Sequence, residues 1–459
     1  MKNNLTLFIL FLILSNAAFA NITLPNVFSD NMVLQRNTEV KIWGWANPQE
    51  EVVISPDWTN EKYTIKANNQ AMWEILIPTP KEGGPYTINI KGYNEIVLKN
   101  ILIGEVWLCS GQSNMEMSAA WGINNGDEEV KKATNSNIRF FQVPKLTATS
   151  PQNNLSGTWE KCTPETMKYF SSVAYFFAQH LQDELKNVPI GLISSNWGGT
   201  PAEIWMPEKV VTQDAVLSTS AKELKEQSYG PNQPGRAFNA MIHPLTGFKI
   251  AGAIWYQGES NVGSTVYDKT LSALISSWRT LWKYEFPFYF VQIAPYQYGE
   301  DNFSGVIIRD AQRRVMQEVP NTGMIVTTDI STTDDIHPKD KKTVGIRLAN
   351  LALANTYKTN RNLVNGPLFK NTETNKNQIQ VNFDYAKGLY FKDKKTTQFE
   401  IAGADNVFYK AEALIKNNAV ILKSDKVKRP LKVRFAWKNT AQSELFNEAH
   451  LSASSFISE

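Results

Sequence analysis

Four short polar segments interrupt the chain directly after runs of apolar residues. Gly111-Gln112-Ser113-Asn114-Met115 follows residues 106–109, and Trp197-Gly198-Gly199-Thr200-Pro201 follows residues 190–194. Gln257-Gly258-Glu259-Ser260-Asn261 follows residues 252–256. Asp334-Asp335-Ile336-His337-Pro338 comes shortly after residues 324–328 and Asp329. Singly, each segment is ordinary. Serines sit in turns, paired glycines make loops, amides cap helices, and a His-Pro pair is more often structural. Together they hold a hydroxyl, N–H donors and an imidazole beside carboxylates. That set can perform acyl transfer: a serine attacks a carbonyl, an imidazole takes its proton, and N–H groups stabilise the oxyanion.

The chain has four histidines. His180 falls in an amphipathic stretch, His243 in the apolar run Met241-Ile242-His243-Pro244-Leu245, and His450 near the C-terminus. Only His337 lies in a polar loop after an apolar run with carboxylates beside it, as a general base requires. Gly198 and Gly199 allow the backbone to approach a substrate closely, and the Gln257 amide can donate to an oxyanion. The serine segment lacks the second glycine of a Gly-x-Ser-x-Gly elbow. Metal catalysis is not expected, because there is no His-x-x-x-His and no Cys-x-x-Cys.

These segments can act together only if the fold brings them to one edge. Residues 101–358 alternate apolar strands (106–109, 138–143, 190–194, 252–256, 288–293, 324–328) with amphipathic helices (172–185, 267–282, 308–318, 341–357). Strands that are apolar throughout, alternating with helices, predict a parallel α/β sheet covered on both faces. Such sheets bind ligands beyond the carboxyl ends of their strands. Residues 21–100 carry short β-type runs punctuated by turns, at the spacing of a β-sandwich. Residues 359–459 return to period-two patterning, as in 378–383 and 431–437, and predict a second β-rich region.

With 459 residues, two or three domains are expected. A hydrophobic share of 42% with 20% charged residues excludes a largely disordered chain. Lysine and arginine number 47 against 44 acids, with no basic block, so neither nucleic acid nor an anionic membrane is an expected partner. Met1-Lys2-Asn3-Asn4, the apolar residues 5–14 and the ending Ala18-Phe19-Ala20 read as a secretory signal peptide. The run is shorter than the roughly 20 residues of a membrane span. A mature chain starting near Asn21, secreted or periplasmic, is expected. Cys109 and Cys162 are expected to be free thiols.

The segments resemble the sialate O-acetylesterase family, a branch of the SGNH hydrolases. The resemblance runs through residues 24–36, 105–115, 198–201, 238–242, 255–261, 336–338 and 399–403. Residues 448–456 depart from the family's usual ending. The family implies a flavodoxin-like, three-layer SGNH domain flanked by β-rich regions, with no cofactor and an O-acetylated sugar, typically a sialic acid, as substrate. By position, Ser113 would be the nucleophile and His337 the base. The Ser113 N–H, Gly198 or Gly199, and Gln257 would form the oxyanion hole, Gln257 standing where many SGNH hydrolases have asparagine. The Asp-x-x-His pattern selects Asp334 to orient His337; Asp335 and a backbone carbonyl are alternatives. Asn114 and Glu259 are candidate substrate contacts, and Arg236 and Arg309 candidate cations for a sialic acid carboxylate. An acetyl-xylan or other polysaccharide esterase would use the same chemistry. A non-catalytic glycan-binding protein would not need Ser113, Gln257 and His337 together.

Overall fold

The computed structural model describes residues 21–299 and 303–458; the signal-type segment, residues 1–20, lies outside them. Six parallel strands form the sheet that the apolar runs predict. In space they run Thr322–Ile325, Phe288–Val291, Gly252–Tyr256, Glu95–Gly111, Ile190–Asn196 and Asn135–Gln142. Trp159–Cys162 pairs antiparallel at the edge. The central stretches of these strands are largely apolar on both faces because alternate side chains enter different cores. Val106, Leu108, Ile193, Trp255 and Phe290 face one core; Trp107, Cys109, Leu192, Ile254 and Tyr289 face the other. Helices Tyr267–Trp282 and Ser304–Glu318 close the first face through Leu274, Trp278 and Ile308. Helices Ser172–Glu184 and Lys341–Asn355 close the second through Val173, Phe177 and Leu348. The expected three-layer α/β architecture is therefore present.

Strand order reverses at Glu95–Gly111, whose neighbours Ile190–Asn196 and Gly252–Tyr256 come later in the chain and lie on opposite sides. Connections leaving a switch point diverge, so a crevice opens beyond the strand ends there. The Gln112, Gly198 and Gln257 segments all leave the sheet at that point.

Glu95–Gly111 is 17 residues long and crosses the domain boundary expected near residue 100. Its first half pairs with Gly83–Lys91, and its middle with Val33–Gln35, in the N-terminal β-region. Its second half is central in the α/β sheet. The strand changes partners without a turn, so the change in patterning near residue 100 marks new neighbours rather than a linker. The C-terminal region forms two four-stranded antiparallel sheets around Ile379, Leu422, Phe399 and Phe435. Cys109 and Cys162 are both buried and free, as expected. Among the described residues, no helix is long and apolar enough to cross a membrane.

Candidate active site

Ser113 owes its position to Gly111. That residue has φ +139°, and a Cβ on it would stand 2.2 Å from the Tyr256 carbonyl oxygen. Only glycine lets the strand end press so closely on its neighbour and turn at once. The Gln112 N–H then donates to the Tyr256 carbonyl, and Ser113 opens a single helical turn, Ser113–Glu116. A hydroxyl at the start of a helical turn sits beside N–H groups that have no partner within the helix.

His337 reaches the same point from the far side of the sheet. Its Nε2 lies 2.9 Å from Ser113 Oγ. The ring is half-buried and meets Trp121 edge-on, with centroids 6.4 Å apart. Burial disfavours the imidazolium most, the Lys341 ammonium disfavours it further, and Asp335 offsets part of the effect; the pKa is held below the ordinary 6.5. Asp335 accepts a hydrogen bond from the His337 backbone N–H at 2.8 Å, so it shapes the loop rather than the ring. Asp334 is exposed, and a hydrogen bond with the Thr332 side chain lowers its pKa. Among the described residues, no carboxylate is hydrogen-bonded to the His337 ring. The pair can pass a proton from the hydroxyl to the imidazole and back.

The expected oxyanion donors are sorted by their partners. The Gly198 N–H is taken by Glu116 Oε2 at 2.6 Å, and Glu116 also pairs with Lys145. Gly198 still lies against the serine: a Cβ on it would be 3.2 Å from that of Ser113. Gly199, with φ +73°, lines the cleft. Gln257 is fully buried and turned away from the cleft. Its Nε2 donates to Asn261 Oδ1 at 2.7 Å and to the Thr200 carbonyl at 3.2 Å, and its Oε1 accepts from Tyr267 at 2.7 Å. Asn261 in turn donates to both oxygens of Glu203. Gln257 therefore ties the glycine loop to its own turn. Ser113 and Gly199 both line the cleft. Ser113 and His337 open on a cleft of about 740 Å³, lined also by Gln112, Trp121, Tyr229 and Glu259.

Residues 103–354 match the family model for carbohydrate esterase, sialic acid-specific acetylesterase. The sialate O-acetylesterase of Homo sapiens is 30% identical over 412 residues, covering 82% of this chain and 78% of that protein. That of Mus musculus is 30% identical over 439 residues, covering 82% and 81%. The chain belongs to the sialic acid-specific acetylesterase family. It is a carbohydrate O-acetylesterase, a hydrolase of carboxylic esters. A solved carbohydrate acetylesterase from Xanthomonas citri superposes with a TM-score of 0.86 at 33% identity, covering 95% of this chain and 99% of that one.

Within this family member, the candidate substrate contacts lie at different distances from the cleft. Glu259 lines it. Asn114 is buried beneath it, donating to Glu259 Oε1 and the Ile336 carbonyl. Arg236 holds Gln233 on a separate groove. Arg309 is fully buried in its helix and donates to the carbonyls of Lys438 and Asn439, anchoring the C-terminal region. Neither arginine faces Ser113.

Arg309→Met is expected to lower stability without changing substrate binding. It orphans two buried carbonyls, at about 1–3 kcal/mol each, and removes a buried charge, which offsets part of that cost. A net loss on the order of 2–3 kcal/mol should appear in urea unfolding, with KM within about twofold of the parent. A tenfold rise in KM at unchanged stability would return Arg309 to the substrate.

Sequence reasoning missed Glu116, Lys145 and Lys341. Glu116 lies three residues after Ser113 and could have been suspected from its place in the segment. Lys145 and Lys341 carry no local signal. The departing segment 448–456 also contacts the histidine loop: Ser452 donates to Asp329 at 2.9 Å, and Arg347 forks onto the same carboxylate.

Proposed function

We propose that this esterase removes acetyl groups from sialic acids through a Ser113 acetyl-enzyme. The observation that carries the mechanism is the 2.9 Å hydrogen bond between Ser113 Oγ and His337 Nε2 at the mouth of the cleft. Ser113 Oγ bonds to the acetyl carbon while its proton passes to His337. The tetrahedral oxyanion is met by the N–H groups of Ser113 and Gly199. The bond to the sugar oxygen breaks, and His337 returns the proton to that oxygen. Water, deprotonated by His337, then releases acetate and restores the serine.

Support for a sialic acid comes from the family and from Lys225, a cation on the cleft wall. Glu223 and Glu259 line the same cleft and favour a second reading, a neutral acetylated polysaccharide. The basic start, the apolar residues 5–14 and Ala18-Phe19-Ala20 support an exported enzyme, secreted or periplasmic.

Acetate release from O-acetylated sialic acid and from acetylated xylan, measured side by side, separates the substrates. At least about tenfold higher kcat/KM on the sialic acid is expected, a difference of roughly 1.4 kcal/mol in transition-state binding. The opposite ratio selects the polysaccharide. No acetate from either, together with no labelling of Ser113 by a fluorophosphonate, would sink the acetyl-enzyme.

A further inference from the structure

Among the described residues no carboxylate is hydrogen-bonded to the His337 ring, so its loop must be fixed by other means. A misplacement of about 1 Å in such a pair can cost on the order of 100-fold in rate. The fixing contact lies beneath the loop. Asn114 is buried, and its Nδ2 donates to the Ile336 carbonyl at 3.0 Å and to Glu259 Oε1 at 2.5 Å. Its Oδ1 accepts from Lys341 Nζ at 2.6 Å. Lys341 is fully buried at the start of helix Lys341–Asn355, with its ammonium 5.2 Å from the centre of the Tyr256 ring.

An asparagine amide can face either way, and its two ends have opposite hydrogen-bonding character. An ammonium only donates. Lys341 therefore commands the oxygen of Asn114, which leaves the NH₂ for the Ile336 carbonyl, the residue before His337. We propose that Lys341 is a positioning residue for His337: it sets the Asn114 amide so that Asn114 pins the Ile336 carbonyl and holds the imidazole on Ser113.

Lys341 also acts through its charge. Among the described residues, Asp335 and Lys341 on its own segment act on the ring, Glu259, Glu223 and Lys225 line the cleft it opens on, and Glu116 accepts from the Gly198 amide. Burial disfavours a proton on His337 most, and the Lys341 ammonium disfavours it further; burial also lowers the pKa of Lys341 to about 7, so the ammonium is present across the acid limb below that pH. Removing it leaves the carboxylates to favour the imidazolium, so the acid limb of activity moves to higher pH.

The test uses full-length Lys341→Met and Lys341→Gln, with p-nitrophenyl acetate as substrate, pH profiles of kcat/KM and urea midpoints. Methionine fills the space but cannot donate. It is expected to lower kcat roughly 10–100-fold with KM little changed, and to raise the acid limb. Glutamine can donate to Asn114 Oδ1 without a charge. It is expected to recover kcat to within about fivefold of the parent while the acid limb stays raised. If the methionine variant does not fold, the glutamine variant decides alone. Parental kcat in the methionine variant, a glutamine variant more than about 10-fold below the parent at equal stability, or an unmoved acid limb in the glutamine variant overturns the proposal. It rests on Ser113 and His337 as the reacting pair. Failure of that pair would appear as activity retained by Ser113→Ala, a result independent of position 341.

Discussion

Ser113→Ala is expected to hydrolyse p-nitrophenyl acetate on the order of 10⁴–10⁶-fold more slowly than the parent, with an unchanged urea midpoint. The loss is large because the hydroxyl held on His337 is the atom proposed to form the acyl bond. What remains is the contribution of the oxyanion donors and binding, which in serine hydrolases sustains a small residual rate. Stability should hold because the substitution removes one hydrogen bond, to His337, in a half-buried setting, a cost of about 1 kcal/mol or less. The turn itself depends on Gly111 and on the Gln112 backbone, neither of which is altered. Retained turnover in a folded Ser113→Ala protein would remove Ser113 from the chemistry.

His337→Asn is expected to lower kcat by at least about 10⁴-fold, since asparagine keeps some of the polarity of imidazole but cannot take a proton near neutral pH. The pH profile of the parent gives an independent reading. His337 acts as a base only when neutral, and burial together with Lys341 holds its pKa below 6.5. A lowered pKa keeps the ring neutral to lower pH. Activity should therefore persist below pH 6.5 and fall as the pH drops through the pKa of His337 itself. A kcat/KM profile whose acid limb lies above pH 7 would contradict this setting of the ring.

The absence of a ring carboxylate among the described residues also shapes the energetics. In a triad, the third residue stabilises the imidazolium as it forms. Here that task falls to more distant carboxylates and to the rigidity of the loop. Asp335 closes the loop on its own backbone, Asn114 holds Ile336, and Arg347 with Ser452 fixes Asp329 at the loop's start. The C-terminal region therefore buttresses the histidine loop directly, through Ser452.

Much of the fold was legible in the sequence. The helix Tyr267–Trp282 could be placed to the residue, because an amphipathic period records which face meets the core. The parallel strands were legible because burial on both faces leaves an unbroken apolar run. Ser113 and His337 stood out for a related reason: each is a polar residue just past such a run, and a parallel sheet gathers its strand ends at one edge. Family likeness to the esterases came from these same segments.

The direction of the hydrogen bonds was not legible. Gln257 was expected to point at the oxyanion, but Asn261, Thr200 and Tyr267 claim its amide from behind. Gly198 is occupied by a carboxylate 82 residues away in the chain. Arg309 was a candidate substrate cation, and the carbonyls of Lys438 and Asn439 claim it instead. Lys341 stands in the charged run Lys339-Asp340-Lys341-Lys342, which reads as solvated surface, yet it is fully buried against Asn114, 227 residues earlier. Local patterning determined which segments turn and which face is buried, because those depend on a residue and its near neighbours. Only the tertiary structure decided which way each polar group points, because its partner lies on another strand and a polar group follows whichever partner the fold delivers.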